Sequence, residues 1–267
     1  MWRDLGQTLL DVLFPPRCAG CGVVGALLCA ACVDSIRPPV EPLCPRCGRS
    51  LDADHTTRAA GPCPTCTRGE GPRTLDWIRS GARHEGAVRQ AILDLKYRGQ
   101  RRLAAPLGDV LARAVRQLNE APEVIVPVPL HIERRRGRGF DQAHLLARRC
   151  AARLDIPCEA QVLLRQRATA PQVGLSAPAR RANVAGAFSL APTAPVARLR
   201  GRRILLLDDV TTTGSTLDAA ADALKSVGPA ALWGFAITRP DLADDARDLR
   251  VAMLSTRKHG SRNGRGA

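Results

Sequence analysis

Residues 204–216 constrain the fold of this 267-residue chain more than any other stretch. They read Ile-Leu-Leu-Leu-Asp-Asp-Val-Thr-Thr-Thr-Gly-Ser-Thr, so four aliphatic residues end at two carboxylates and a turn rich in hydroxyl groups follows. The aliphatic run is typical of a parallel strand that is buried on both faces. A helical run from Leu217 to Val227 comes next, and Gly228 and Pro229 end it. The stretch therefore predicts a strand, a turn and a helix in immediate succession.

The predicted turn lies between the carboxyl end of a strand and the amino end of a helix. Exposed N–H groups and the helix dipole favour a bound phosphate at such a position. Asp208 and Asp209 stand beside the turn, where two carboxylates can hold a diol, so the stretch predicts a site for a sugar phosphate. A P-loop ATPase is excluded, because its phosphate loop needs a lysine after a glycine and neither Lys96, Lys225 nor Lys258 follows one. The remaining alternative is a core strand that merely ends in acids.

This stretch resembles the phosphoribosyl pyrophosphate (PRPP) motif of type I phosphoribosyltransferases. The resemblance implies that Asp208 and Asp209 hold the ribose hydroxyls and act in catalysis, and that Mg²⁺ accompanies PRPP. It also implies that the turn binds the 5′-phosphate through Thr212, Thr213, Gly214, Ser215 and Thr216.

Cysteine spacing gives the second strong pattern. Eight of the ten cysteines form four C-x2-C pairs, and two such pairs supply a tetrahedral four-thiolate zinc site. We expect two structural zinc sites with sequential pairing, because short loops close at less entropic cost than a cross-brace. Cross-braced pairing and disulfides are the alternatives. Disulfides are disfavoured, because we find no secretion signal in the sequence. The predicted ligands are Cys18, Cys21, Cys29, Cys32, Cys44, Cys47, Cys63 and Cys66.

The composition shifts along the chain predict four segments. Residues 1–16 read as an amphipathic helix, 17–70 as a double zinc ribbon and 75–240 as a phosphoribosyltransferase-like domain. Residues 241–267 read as a partly disordered basic tail. Cys150 and Cys158 lie outside the cysteine module and are interpreted as buried thiols.

Strands and helices alternate within the third segment. The patterns predict helices over 86–97, 104–118 and 140–154, strands over 123–128 and 231–238, and irregular structure over 163–188. This alternation predicts an α/β fold, an open parallel sheet with helices on both faces.

An arginine-rich segment follows the strand at 123–128. A turn that carries arginines and glycines can enclose a pyrophosphate with backbone amides and guanidinium groups. The candidate pyrophosphate residues are Pro129, Leu130, His131, Arg134 and Arg138. The alternative is a solvated basic turn.

Residues 164–188 resemble the flexible loop that closes over PRPP in amidophosphoribosyltransferase-like proteins. Loops of this length inside a domain are either lids or disordered segments, and the sequence allows both interpretations. The candidate loop residues are Arg165, Arg167, Thr169, Gln172, Arg180 and Asn183.

The chain to about residue 240 resembles the ComF family in the order of its blocks. These are the cysteine module, Leu-Lys-Tyr-Arg-Gly at 95–99, Pro-Val-Pro-Leu-His at 127–131 and the PRPP motif. One departure is Asp141, where the family more often has asparagine; this puts a supporting hydrogen bond in doubt. The resemblance implies a phosphoribosyltransferase-like fold and a link to DNA uptake in natural transformation. It also suggests a DNA-uptake helicase or another competence protein as a partner.

The formal net charge of +15 allows two interpretations. A basic surface favours single-stranded DNA, but abundant arginine together with alanine is also what GC-rich coding sequence produces. Aromatic residues make up only 3% of the chain, so stacking of bases is poorly supported. No apolar run is long enough to span a membrane, and we expect a cytoplasmic protein.

Two functions from different classes fit these patterns. The first is a phosphoribosyltransferase that uses Mg-PRPP. The second is a non-catalytic adaptor in DNA processing that binds PRPP or single-stranded DNA, since fold alone does not determine function.

Overall fold

The computed structural model describes residues 14–51, 61–169 and 177–240. Most of the predicted amino-terminal helix over 1–16, the tail over 241–267 and the loop residue Gln172 lie outside the described residues.

Six strands and eight α-helices make up the described chain, with three short 3₁₀ turns between them. The strands are β1 (Trp77–Arg83), β2 (Val124–Pro127), β3 (Leu163–Arg165), β4 (Phe188–Leu190), β5 (Arg203–Val210) and β6 (Ala231–Arg239). The helices are α1 (Ala30–Asp34), α2 (Pro64–Thr67), α3 (Gly86–Tyr97), α4 (Ala104–Val115), α5 (Ile132–Arg138), α6 (Gln142–Leu154), α7 (Ala177–Val184) and α8 (Ser215–Leu224).

Four of the strands form one parallel sheet in the order β1-β6-β5-β2, which confirms the predicted fold class. The aliphatic run of β5 lies in the middle of this sheet and pairs on both sides, so that Leu206 lies opposite Val126 and Gly234. Because parallel strands all end at one edge, the carboxylates after Leu207 project into the crevice where α/β proteins bind ligands.

The continuous apolar character of β5 follows from its burial on both faces. Leu205 and Leu207 pack with Phe235 into a core that also holds α3, α4 and α6. Ile204 and Leu206 point the other way and pack against α8. Alternate residues of one strand therefore stabilise two separate hydrophobic layers.

Several predicted boundaries were wrong in detail. The segment 163–188, predicted to be irregular, contains β3, α7 and β4, and β3 pairs with β4 in an antiparallel two-stranded sheet. The arginine-rich turn after β2 folds as the short helix α5, while α4 ends at Val115 and α6 begins at Gln142. Strand β1 was not predicted, because only its alternate residues are buried at the edge of the sheet and no continuous apolar run marks it.

The first cysteine cluster packs directly on the α/β core. Cys18 and Leu28 belong to the same buried cluster as the sheet. A Cβ on Gly20 would lie 2.6 Å from the Ala87 Cβ at the start of α3, so only glycine allows this close approach. The cysteine module and the α/β domain therefore share part of one hydrophobic core on this side.

Within the described residues, no helix combines the length and the apolar character that a membrane span requires.

Candidate functional site

The eight predicted ligands form two four-cysteine clusters, which confirms sequential pairing. One cluster holds Cys18, Cys21, Cys29 and Cys32, and the other holds Cys44, Cys47, Cys63 and Cys66. All of them are free thiols rather than disulfides. Sulfur–sulfur distances are 3.6 Å for Cys21–Cys29 and for Cys47–Cys63, and 3.8 Å for Cys44–Cys66. A tetrahedral zinc site with Zn–S bonds of about 2.3 Å has sulfur–sulfur edges of about 3.8 Å, so both clusters fit zinc.

The two clusters repeat one hydrogen-bond pattern. The amide of the third cysteine donates to the sulfur of the first at 3.3 Å, from Cys29 to Cys18 and from Cys63 to Cys44. Burial alone would raise the pKa of Cys18 and of Cys44, but backbone amides outweigh it and lower each pKa to about 6. Amides that stabilise thiolates are what a metal ligand requires.

A buried ion pair holds the acids at the end of β5. Asp209 is 4% exposed, and its Oδ1 lies 2.8 Å from the Nζ of Lys96 on α3. Its Oδ2 is buried and accepts no hydrogen bond from any described residue. One carboxylate oxygen is thus neutralised by the lysine, while the other remains an unused acceptor beside the site.

The Asp208 carboxyl keeps its proton to a higher pH than an ordinary aspartate does. Burial and the adjacent Asp209 charge raise the pKa of Asp208 from 3.8 to about 7, against the lowering effect of Lys96. Its Oδ1 accepts a hydrogen bond from the Asp209 amide at 2.8 Å. Burial would lower the pKa of Lys96, but Asp209 outweighs burial and raises it, so the lysine is charged. Lys96 is the one ion-pair partner that the described residues give these two adjacent carboxylates, which suits a site that receives a hydroxyl donor or a cation.

The turn over residues 212–216, named the phosphate turn after its predicted ligand, depends on one glycine. Gly214 has φ of +81°, and a Cβ there would lie 2.2 Å from the Cδ1 of Ile78 on β1. The Thr213 Oγ1 lies 2.7 Å from the Ser215 Oγ and accepts from the Ser215 amide at 3.3 Å. Helix α8 begins at Ser215 without a side-chain cap, so its first amides and its positive dipole end face the turn.

A cavity of about 230 Å³ adjoins the diacid and the turn. Five cationic side chains and two carboxylates line it, an excess of three positive charges. The charged and hydroxyl residues around it are Lys96, Arg134, Arg138, Arg165, Arg180, Asp208, Asp209, Thr169, Thr212 and Thr216.

Arg165 and Arg180 of the predicted loop and Arg134 of α5 are anchored around this cavity. Arg180 donates to the Thr212 Oγ1 at 2.6 Å and is 4% exposed. Arg165 donates to the Thr169 Oγ1 at 2.5 Å, and Arg134 donates to the Thr169 carbonyl at 2.8 Å. The Arg165 Nε is buried and has no hydrogen-bond partner within the part of the chain that the structure describes, so a donor is available beside the cavity.

Asp141 supports the segment between β2 and α6. Its carboxylate accepts from the Leu130 amide at 2.9 Å and from the His144 amide at 3.2 Å, where it caps α6. The carboxylate at this position therefore makes two hydrogen bonds to the backbone.

The structure does not bring every predicted residue to the cavity. Pro129 lines a different cavity of about 660 Å³, and His131 caps α5 by accepting from the Glu133 amide at 3.4 Å. Arg167 donates instead to the carbonyls of Asn183 and Ala185 within the loop.

Lys96, Tyr97 and Gln142 also line the cavity but were not predicted as site residues. A signal for Lys96 was available, because it is one of three lysines among 40 basic residues. The Arg138 guanidinium lies over the Tyr97 ring, with its Cζ 5.9 Å from the ring centroid. Gln142 accepts a hydrogen bond from the same arginine.

Known protein families match both parts of this architecture. A double zinc ribbon domain matches residues 9–67, and a phosphoribosyl transferase domain matches residues 102–238. Competence protein F of Haemophilus influenzae is 34% identical over 218 residues, which cover 78% of this chain and 90% of the relative. The chain belongs to the ComF family.

Other relatives carry related names. The DNA utilization protein YhgH of Escherichia coli strain K12 is 32% identical over 219 residues, 79% of this chain and 90% of that protein. Competence protein ComFC of Bacillus subtilis is 28% identical over 209 residues, 76% of this chain and 80% of that protein. The ComF family resemblance that the sequence blocks indicated is therefore confirmed, as is the pairing of a double zinc ribbon with a phosphoribosyltransferase fold.

The cysteine geometry predicts close to two zinc ions per chain in the purified protein. Replacing Cys66 with serine should remove about one of them, because four thiolates complete each site. Elemental analysis of protein dialysed free of loose metal provides the measurement. A folded wild-type protein without zinc would contradict the assignment of both clusters.

Proposed function

We propose that this ComF-family protein binds Mg-PRPP in the cavity at the end of β5 and transfers its phosphoribosyl group to an acceptor. One observation carries the proposal: an uncapped helix start, a buried diacid and a ring of arginines adjoin one cavity. A sugar that carries a phosphate at one end and a pyrophosphate at the other matches this distribution of charge.

Each part of PRPP has a complementary group. The 5′-phosphate would accept hydrogen bonds from the amides and hydroxyls of the 212–216 turn. The ribose hydroxyls would donate to Asp208 and Asp209, and the Asp209 Oδ2 has no other partner in the described ranges. Arg134, Arg138 and Arg165 supply positive charge for the pyrophosphate.

These residues also suit the reaction. The bond from the anomeric carbon to pyrophosphate breaks as an acceptor atom forms its own bond there, and positive charge develops on the ribose. Carboxylates near the ribose would stabilise that charge, and arginines would stabilise the departing pyrophosphate. Bound Mg²⁺ would add Lewis-acid stabilisation of the pyrophosphate oxygens.

Turnover separates an enzyme from a binding protein. We expect pyrophosphate release from Mg-PRPP only when an acceptor is present, in a screen of nucleobases and amines. Tight PRPP binding without release under any acceptor would instead support the adaptor function.

We predict that Gly214→Ala weakens Mg-PRPP binding at least about tenfold, because the new Cβ displaces the amides of the phosphate turn. Gly228→Ala is the matched control. Its φ of +70° gives a similar backbone strain of about 1–2 kcal/mol, but nothing lies within 4 Å of the added Cβ.

Calorimetric titration of both variants and the wild type with Mg-PRPP provides the measurement. Equal affinity for all three proteins would show that PRPP does not use this turn.

A second candidate function is weak binding of single-stranded DNA, with a DNA-uptake helicase or another competence protein as partner. The arginines around the cavity favour it, as do the competence and DNA utilization names of the relatives. Trp77 and Trp233 stack on each other with ring centroids 5.0 Å apart. One face of each ring is therefore covered by the other and cannot stack on a base.

We therefore predict DNA binding through phosphates, with an affinity that falls steeply as salt rises and depends little on base sequence. A labelled oligonucleotide titrated at low and at physiological ionic strength measures this, and Mg-PRPP should compete because both ligands need the same arginines. Affinity that does not change with salt would rule out this mode.

A further inference from the structure

Arg239 connects the second cysteine cluster to the phosphate turn. It is the last residue of β6, and its guanidinium donates from Nη1 to the Thr212 carbonyl at 2.5 Å. From Nη2 it donates to the carbonyl of Cys47, one of the four zinc ligands. A single planar side chain thus joins the backbones of the two elements.

Ile78 on β1 makes a second connection between the same elements. Gly48 follows Cys47 and packs on the Ile78 backbone, where a Cβ would lie 2.3 Å from the Ile78 carbonyl oxygen. The Ile78 amide donates to the Arg46 carbonyl at 2.8 Å. On its other side, the Ile78 side chain packs against Gly214. The cluster and the phosphate turn therefore contact one residue from opposite sides.

The chain that leaves the second cluster makes a third connection. The amides of Arg73, Thr74 and Leu75 all donate to the Asp218 carboxylate at 2.9 to 3.1 Å. Asp218 lies in the first turn of α8, directly after the phosphate turn. Three amides on one buried carboxylate hold the amino end of this helix in place.

We infer that the second zinc ribbon, built around the cluster of Cys44, Cys47, Cys63 and Cys66, holds the phosphate turn in its binding conformation, and that Arg239 is the positioning residue that connects them. The inference rests on the proposed PRPP site. It gives the second zinc site a role beyond folding, because zinc fixes the Cys47 carbonyl that Arg239 needs as an acceptor. Lysine could not replace Arg239, since one ammonium cannot span two carbonyls with the rigid geometry of a guanidinium.

Among the described residues, no comparable contact joins the first ribbon to the turn. It packs at the amino end of α3, where Gly20 meets Ala87. The two zinc sites should therefore differ in how strongly they affect the phosphate turn, although both are built from the same motif.

The first test needs no ligand. In hydrogen–deuterium exchange, Arg239→Ala should accelerate exchange of the amides at 212–216 about tenfold or more, with zinc content unchanged. Arg203→Ala is the control, because Arg203 also donates to a backbone carbonyl, that of Ala121 at 2.9 Å, but at the opposite end of the sheet. Unchanged exchange in Arg239→Ala would overturn the inference.

The second test measures Mg-PRPP affinity by calorimetry. Arg239→Ala and Arg239→Lys should each bind roughly tenfold more weakly than wild type, and Arg203→Ala should bind normally. Cys66→Ser, which disrupts the second zinc site, should also weaken binding, and its effect should not add to that of Arg239→Ala. Fully additive effects would show that zinc and Arg239 act separately, against the inference.

The two tests distinguish failure of the proposed PRPP binding from failure of the connection through Arg239. If wild-type protein does not bind Mg-PRPP, the proposed function fails, and the exchange experiment still decides whether Arg239 orders the turn. If wild type binds and Arg239→Ala binds equally well, only the connection fails.

Discussion

The buried ion pair between Lys96 and Asp209 determines what this site can do. Two adjacent carboxylates at the end of a central strand repel each other, and Lys96 neutralises only one of them. Burial, together with this repulsion, raises the pKa of Asp208 to about 7, and the Asp209 Oδ2 has no hydrogen-bond partner among the described residues. Such an arrangement lowers the stability of the fold, so a ligand that uses both carboxylates is the simplest physical reason for it.

The zinc ribbons support both sides of this arrangement. Helix α3 packs against the first ribbon at its amino end and carries Lys96 near its carboxyl end. The second ribbon contacts the phosphate turn through Arg239 and Ile78. We infer that the cysteine clusters thereby help to hold the proposed ligand site, whose acids and turn come late in the chain.

Features encoded by local pattern were predictable from the sequence, and features that depend on tertiary contacts were not. The strand, acids and turn at 204–216 and the C-x2-C pairs each lie within a few residues, so spacing alone revealed them. Lys96 meets Asp209 across more than 100 residues, and Arg239 meets Cys47 across 192, with no periodicity to mark either pair. The three-residue strands β3 and β4 are too short for alternation to be read, so their segment resembled an irregular loop.

The most direct test of this account is thermal unfolding of Asp208→Asn in the absence of ligand, together with its affinity for Mg-PRPP. In the unfolded chain Asp208 ionises near its ordinary pKa of 3.8, whereas in the fold it keeps its proton up to about 7. The wild type therefore loses stability as pH rises between these values, and asparagine should raise the melting temperature more at about pH 8 than at about pH 5. The same variant should bind Mg-PRPP more weakly. An asparagine variant that gains no stability at the higher pH, or that binds Mg-PRPP like the wild type, would contradict the claim that the diacid is maintained for a ligand.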